Sequence, residues 1–189
     1  MLLIFFACVG FLYTEGMWGN AIRFINVTTA ALLATNYWEP AADWLEEWQP
    51  SYTYVWDFLS LWALFCVFMI ILRSLTDQVS KVRVRFLKIA DRIGGVVIAM
   101  LVGWVMMSFT MMSLHTAPLA RNFLFEGFQS EQPMVMGTAP DQKWLRFVRK
   151  LSFGAFSRPA TEAEWQNRKF VFDPYGKFVG KYDERRKTL

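Results

Sequence analysis

Few side chains in this sequence are equipped for chemistry, and most of them lie in apolar surroundings. His115 is the one histidine, and Cys8 and Cys66 are the two cysteines. Both cysteines fall inside apolar runs, so neither a disulfide framework nor a zinc site is expected. The sequence has no glycine-rich phosphate loop and no G-x-S-x-G elbow. The reading is therefore of a protein without catalytic residues, bound cofactor or metal. What remains is a small set of polar groups where polarity is costly. Arg23, Asn26 and Asp57 interrupt apolar stretches, and the adjacent pair Asp91–Arg92 stands at the mouth of the most apolar stretch of all. Ionisable groups inside a membrane are expensive, so they are functional candidates by default. Asp91 can cap a helix starting there, or pair with Arg92 or a neighbouring base.

The elements that must position these groups are helices. The chain has 189 residues, of which 54% are hydrophobic and 19% charged, against about 25% charged in soluble domains. The apolar residues gather before residue 118. A bilayer core of about 30 Å is crossed by roughly 20 apolar helical residues. Ile93–Leu114 carries no charge, and Ser51–Leu72 carries only Asp57. Gly16–Trp38 is a weaker span, interrupted by Arg23 and containing Asn26, Thr28, Thr29 and Thr35. Met1–Thr14 is apolar but short. It has no basic start and no small-x-small site before Glu15, so it reads as a retained helix and not a cleaved signal peptide. The expected architecture is an all-α membrane protein of about four transmembrane helices over 1–117, followed by a C-terminal extension, 118–189.

Charge gives the orientation. Residues 39–57 hold Glu39, Asp43, Glu46, Glu47 and Asp57 and no base, whereas 73–92 hold Arg73, Lys81, Arg83, Arg85, Lys88 and Arg92. Short basic loops stay in the cytoplasm, which puts 73–92 inside and 39–57 outside. The long tail then also lies outside, despite its excess of bases. Trp38, Trp44, Trp48, Tyr52, Tyr54 and Trp56 surround the outer loop as an interfacial belt, with AADWLEEW as a short surface helix. His115, at the outer end of the last span, reads as an interfacial polar group. In the inner loop, Val79, Val82, Phe86, Ile89 and Ile93 oppose Lys81, Arg85, Lys88 and Arg92, the pattern of an amphipathic helix that meets anionic lipid headgroups.

Within the last span, Gly95, Ala99 and Gly103 form an i, i+4, i+8 stripe. Small residues at this spacing let helices approach closely in lipid, so the stripe reads as a packing groove more readily than as a hinge. In the tail, PDQKWLRFVRKL makes a second interfacial helix, with Trp144, Phe147, Val148 and Leu151 opposite Lys143, Arg146, Arg149 and Lys150. TEAE at 161–164 has the form of a capping box. FVFDPYGKFV predicts a short hairpin turning at Pro174 and Gly176, and residues 183–189 read as disordered. Bases and acids are interleaved throughout the tail, without a nucleic-acid module.

The order of these elements resembles the bacterial colicin V production protein family: a short first helix, a glycine-containing link, a polar second span, a third span, then Asp-Arg opening a glycine-rich last span. Asp91, Arg92, Gly95 and Gly103 carry the resemblance, with Gly10, Gly16 and Gly19 in the first link. It covers about residues 1–117. Ala99 and Val102 stand where the family often has a glycine and a base, Glu15 lies in a link that is usually basic, and the tail has no counterpart. The resemblance implies a multi-pass protein of the bacterial inner membrane. It would support production and export of a peptide toxin, or envelope maintenance, through a membrane secretion or envelope partner. A small oligomeric transporter or channel is the alternative, with homo-oligomers formed through the glycine stripe and a path lined by Arg23, Asn26, Thr28, Thr29 and Asp57.

Overall fold

The computed structural model describes residues 2–80, 87–118, 139–159, 161–166, 168 and 170–187. Among these residues the chain is helical and contains no strand. The helices are α1 (Leu2–Leu12), α2 (Met17–Trp48), α3 (Thr53–Val79), α4 (Lys88–Thr116), α5 (Pro140–Ser152), α6 (Glu162–Gln166) and α7 (Phe178–Lys187), with a 3-10 turn at Pro50–Tyr52 between α2 and α3. α2 packs along both α3 and α4, α1 lies against α4, and α5 docks on α4.

Two helices, α3 and α4, are long and apolar enough to cross a membrane. Most of α3 faces outward: Leu59, Val67, Ile70, Ile71 and Leu75 are all exposed, as are Ile93, Val97 and Leu101 of α4. A soluble core helix would bury such residues; here they form an apolar belt. α2 differs in what it buries: beside Val27, Leu32, Trp38 and four alanines, its inner face holds Asn20, Asn26, Thr35 and Asn36. α1 has 11 residues, a rise of about 16 Å, roughly half a bilayer core. It ends at Leu12 instead of running on past Glu15.

The sequence expectations need several corrections. AADWLEEW is not a separate surface helix. It is the last part of α2, which continues through Pro40 for a total of 32 residues, about 48 Å. Proline removes one hydrogen bond and strains the preceding turn, but packing on both sides of Pro40 holds the helix together. Trp38 does not belong to the interfacial belt: it is 2% exposed, beneath α7. Its ring meets Phe178 edge-on at 6.3 Å. Trp44, Trp48 and Tyr52 do remain exposed. FVFDPYGKFV turns at the expected place, with the Gly176 N–H donating to the Asp173 carbonyl at 3.1 Å and Gly176 at φ +67°. No hairpin strands form among the described residues; the chain enters α7, which covers residues read as disordered. Tyr182 and Asp183 of α7 are buried. The inner amphipathic helix falls largely on 81–86, outside the described residues.

The glycine stripe packs within the chain. A Cβ on Gly95 would lie 3.0 Å from the Glu15 carbonyl oxygen, and one on Gly103 would lie 3.1 Å from the Phe5 carbonyl oxygen. Both are backbone neighbours, which cannot rotate aside. Ala99 between them is fully buried. The groove on α4 thus receives α1 and the link after it. Gly95→Leu and Gly103→Leu should each cost about 1–3 kcal/mol or more through overpacking, read as a lowered unfolding temperature in detergent. Gly10→Leu, at a position with open space around it, should leave that temperature unchanged.

Candidate functional site

The polar groups singled out in the sequence fall into two clusters at opposite ends of the bundle. At the basic end, Asp91 does not cap its own helix. Its Oδ1 accepts the backbone N–H of Met17 at 2.8 Å, so it caps α2 from across the bundle. Gly16 makes room for this: a Cβ there would lie 2.8 Å from the Asp91 carboxylate. The carboxylate therefore sits at a helix N-terminus, where negative charge is favoured. Arg92 turns away from Asp91; its guanidinium donates to the Tyr13 hydroxyl at 2.8 Å.

Asn20, which the sequence reading passed over, ties the same corner together. It is fully buried, and its Nδ2 donates both to the Leu12 carbonyl at 3.1 Å and to the Gly95 carbonyl at 2.9 Å. One amide thereby joins the end of α1, the start of α2 and the glycine face of α4. Arg23 pairs with Glu15 at 2.7 Å, which explains an acid in this link. Asn26 donates through Nδ2 to Thr76 Oγ1 at 2.9 Å, fastening α2 to α3. Trp18 Nε1 donates to Ser80 Oγ at 3.0 Å. These groups surround an open cavity of about 970 Å³ lined by α2, α3, α4 and the α1–α2 link.

At the other end the tail is latched down. Asp57 Oδ2 accepts from the Tyr182 hydroxyl at 2.9 Å and from Arg185 at 2.5 Å. Burial, together with the neighbouring Asp57 charge, raises the Tyr182 phenol well above its ordinary value and keeps it a proton donor. Arg158 pairs with Glu39 at 2.8 Å, and Asn36 Nδ2 donates to the Phe156 carbonyl at 2.7 Å. His115 is an interior residue, 1% exposed, with Nε2 3.0 Å from Asp141 Oδ2. The apolar face of α5 is occupied by protein: Trp144 and Val148 are buried, and Trp144 Nε1 donates to Thr35 Oγ1 at 3.2 Å. Phe147 alone of that face is largely exposed.

Arg23 and Asn26 are therefore not assembled with Asp57. Asp57 and Thr76, the partner of Asn26, are separated by about 28 Å of helix rise along α3. Between them stands a wall of aromatic rings, with Trp62–Phe109 at 5.4 Å, Phe65–Phe109 at 4.9 Å and Phe109–Trp144 at 6.4 Å. Among the described residues no group of histidine, cysteine and carboxylate side chains could hold a metal ion.

The Asp91–Gly95–Gly103 face of α4, closed against a glycine link, lies wholly within a stretch matched by a family model. That model, the colicin V production protein, covers residues 1–131. The chain belongs to this family. No curated protein and no solved structure matches it significantly. The colicin V production match runs past the 1–117 suggested by the resemblance, and ends before α5 begins. The tail helices that latch onto the bundle thus lie outside the region the family model describes.

Two outcomes check this geometry. Asp91→Ala should cost about 0.5–2 kcal/mol by removing the cap of α2, measured as detergent-solubilised unfolding, while Arg92→Gln, whose side chain is exposed, should change it by less. At the other end, burial raises the Asp141 carboxyl, but the hydrogen bond and charge of His115 outweigh it and hold the carboxyl below its usual range. A depressed carboxylate stabilises the fold above its unfolded pKa and loses that contribution as pH falls through the folded value. Asp173, raised by burial, acts with the opposite sign. The Asp141 contribution is therefore read as a difference: acidification should lower the tail's resistance to proteolysis more in the wild type than in Asp141→Asn.

Proposed function

We propose that this protein is an integral accessory protein of the bacterial inner membrane that supports toxin production and export, or envelope upkeep, without a reaction of its own. The observation that carries the reading is the colicin V production match over residues 1–131, which contains the whole bundle. On this reading the bundle is multi-pass. α2 packs along two helices apolar enough to span, so α2 shares their depth. The basic end faces the cytoplasm and the acidic end, with the tail, faces out, as the short-loop charges require. The partner is a membrane secretion or envelope component.

The transporter or channel alternative is weaker. Its ionisable candidates lie at opposite ends, already paired, and the rings around Phe109 fill the space between them. Channels are lined by continuous polar or charged rings, and α2 spends its polar groups on other helices.

The test is loss and restoration. A strain lacking the protein should release less toxin or show envelope sensitivity, and the wild-type gene should restore the phenotype while Gly95→Leu should not. Topology is read separately by replacing Cys8 and Cys66 and adding single cysteines. Gln49→Cys should react with an impermeant maleimide in intact spheroplasts, and Leu87→Cys only after permeabilisation. The reverse pattern would invert the orientation. Ion flux above background from purified protein in liposomes would move the reading to a channel.

A further inference from the structure

The open cavity at the basic end has two kinds of wall and one unanswered polar atom. At about 970 Å³, it lies near the top of the size range of small-ligand sites, ~300–1,000 Å³. Ile22, Val27, Met69 and Val102 supply apolar lining. At the rim stand Arg73 and Lys88. Arg73 makes only a loose contact with Asp77, at 3.7 Å with both side chains about 70% exposed. Lys88 has no ion-pair partner among the described residues. The other acids of the lining are engaged: Glu15 by Arg23, and Asp91 by the Met17 N–H. Within the cavity wall is Asn26, 3% exposed. Its Nδ2 is bound to Thr76, but its Oδ1 is buried with no hydrogen-bond partner. A buried acceptor left unpaired costs about 1–3 kcal/mol, and a ligand donor that displaces the side chains around it recovers part of that cost.

The geometry points to a binding site for a phospholipid whose headgroup carries a hydrogen-bond donor. Lys88 and Arg73 hold the phosphate, Asn26 Oδ1 accepts from the headgroup hydroxyl or ammonium, and the apolar lining receives the first part of the chains. Three features select this chemistry together. The rim offers two loosely held bases to an anion, Asn26 offers an acceptor to an N–H or O–H, and the apolar wall offers a surface to hydrocarbon. The apolar belt on α3 and α4 brings such a molecule alongside, because a bilayer lipid reaches the cavity without leaving hydrocarbon. A choline headgroup has the phosphate but no N–H, and so fails at Asn26. The proposal goes beyond the accessory role and does not depend on which system the protein serves.

The experiment uses the full-length protein, purified in mild detergent and delipidated. It is then offered phosphatidylglycerol, phosphatidylethanolamine, phosphatidylcholine or soluble glycerol phosphate, with retention read by native mass spectrometry. Phosphatidylglycerol and phosphatidylethanolamine should be retained at least about tenfold better than phosphatidylcholine, a difference of one lost hydrogen bond to a buried acceptor. The double variant Arg73→Gln/Lys88→Gln, which alters rim groups and leaves the core intact, should lose that retention about tenfold or more. Asn26→Leu should bring phosphatidylglycerol down to the phosphatidylcholine level. If Asn26→Leu does not fold, the rim variant and the lipid series still decide. Equal retention of all three lipids, or full retention by the rim variant, would overturn the site. Glycerol phosphate binding as tightly as the lipid would overturn the lipid assignment in favour of a soluble phosphate ester.

Discussion

Hydrocarbon offers no hydrogen-bond partner, so Asn20, Asn26, Thr35 and Asn36, which α2 carries into the bundle, are each anchored to the protein through at least one polar atom. That constraint organises the structure. Asn20 holds α1 and α4, Asn26 holds α3, Thr35 receives Trp144 of α5, and Asn36 holds the chain after α5. Successive polar residues of one helix thus serve five different neighbours. An unsatisfied backbone or side-chain group in lipid costs several kcal/mol, so the arrangement is fixed at each of these positions separately. The apolar residues can then face outward, as they do on α3.

Close backbone approach follows from the same constraint. Asn20 reaches the Gly95 carbonyl only because α4 lies against the α1–α2 link, and α4 can lie there only because Gly95 has no side chain. Asp91 reaches the Met17 N–H under the same condition at Gly16. Hydrogen bonding and small residues are therefore not independent contributions at this corner. The glycines create the distance across which the amide and the carboxylate act.

Much of this was legible in the sequence. The helical class follows from composition, and the existence of α3 and α4 follows from the two long apolar runs, although α3 continues past its run to Val79 and α4 begins before its run at Lys88. The stripe Gly95–Ala99–Gly103 follows from its spacing, and so does the existence of α5, whose pattern of Trp144 and Val148 against Lys143 and Arg146 has the period of a helix. What the period cannot say is which apolar surface a helix meets. A face that suits a bilayer interface also suits Phe109 and Thr35, and α5 uses the latter. The long-range pairs were not legible at all. His115 and Asp141 are 26 residues apart, Arg158 and Glu39 are 119 apart, and Arg185 and Asp57 are 128 apart, and no spacing rule joins residues at such distances. Asn20 was hidden for another reason: a single amide in a weak span looks like a defect until its two acceptors are in place. Pro40 acts in the opposite sense, as a residue of the type that ends most helices and does not end this one.

The cap on α2 also has a consequence for how the molecule is made. Chains are synthesised from the N-terminus, so α2 is complete while Asp91 is still untranslated. Until α4 arrives, the Met17 N–H lacks its acceptor and the Asn20 amide lacks the Gly95 carbonyl. The corner where α1 meets α2 is therefore completed only once α4 has been made. Made after them, α4 works as a clasp on α1 and α2, supplying from one face both the carboxylate and the carbonyl that these earlier elements lack.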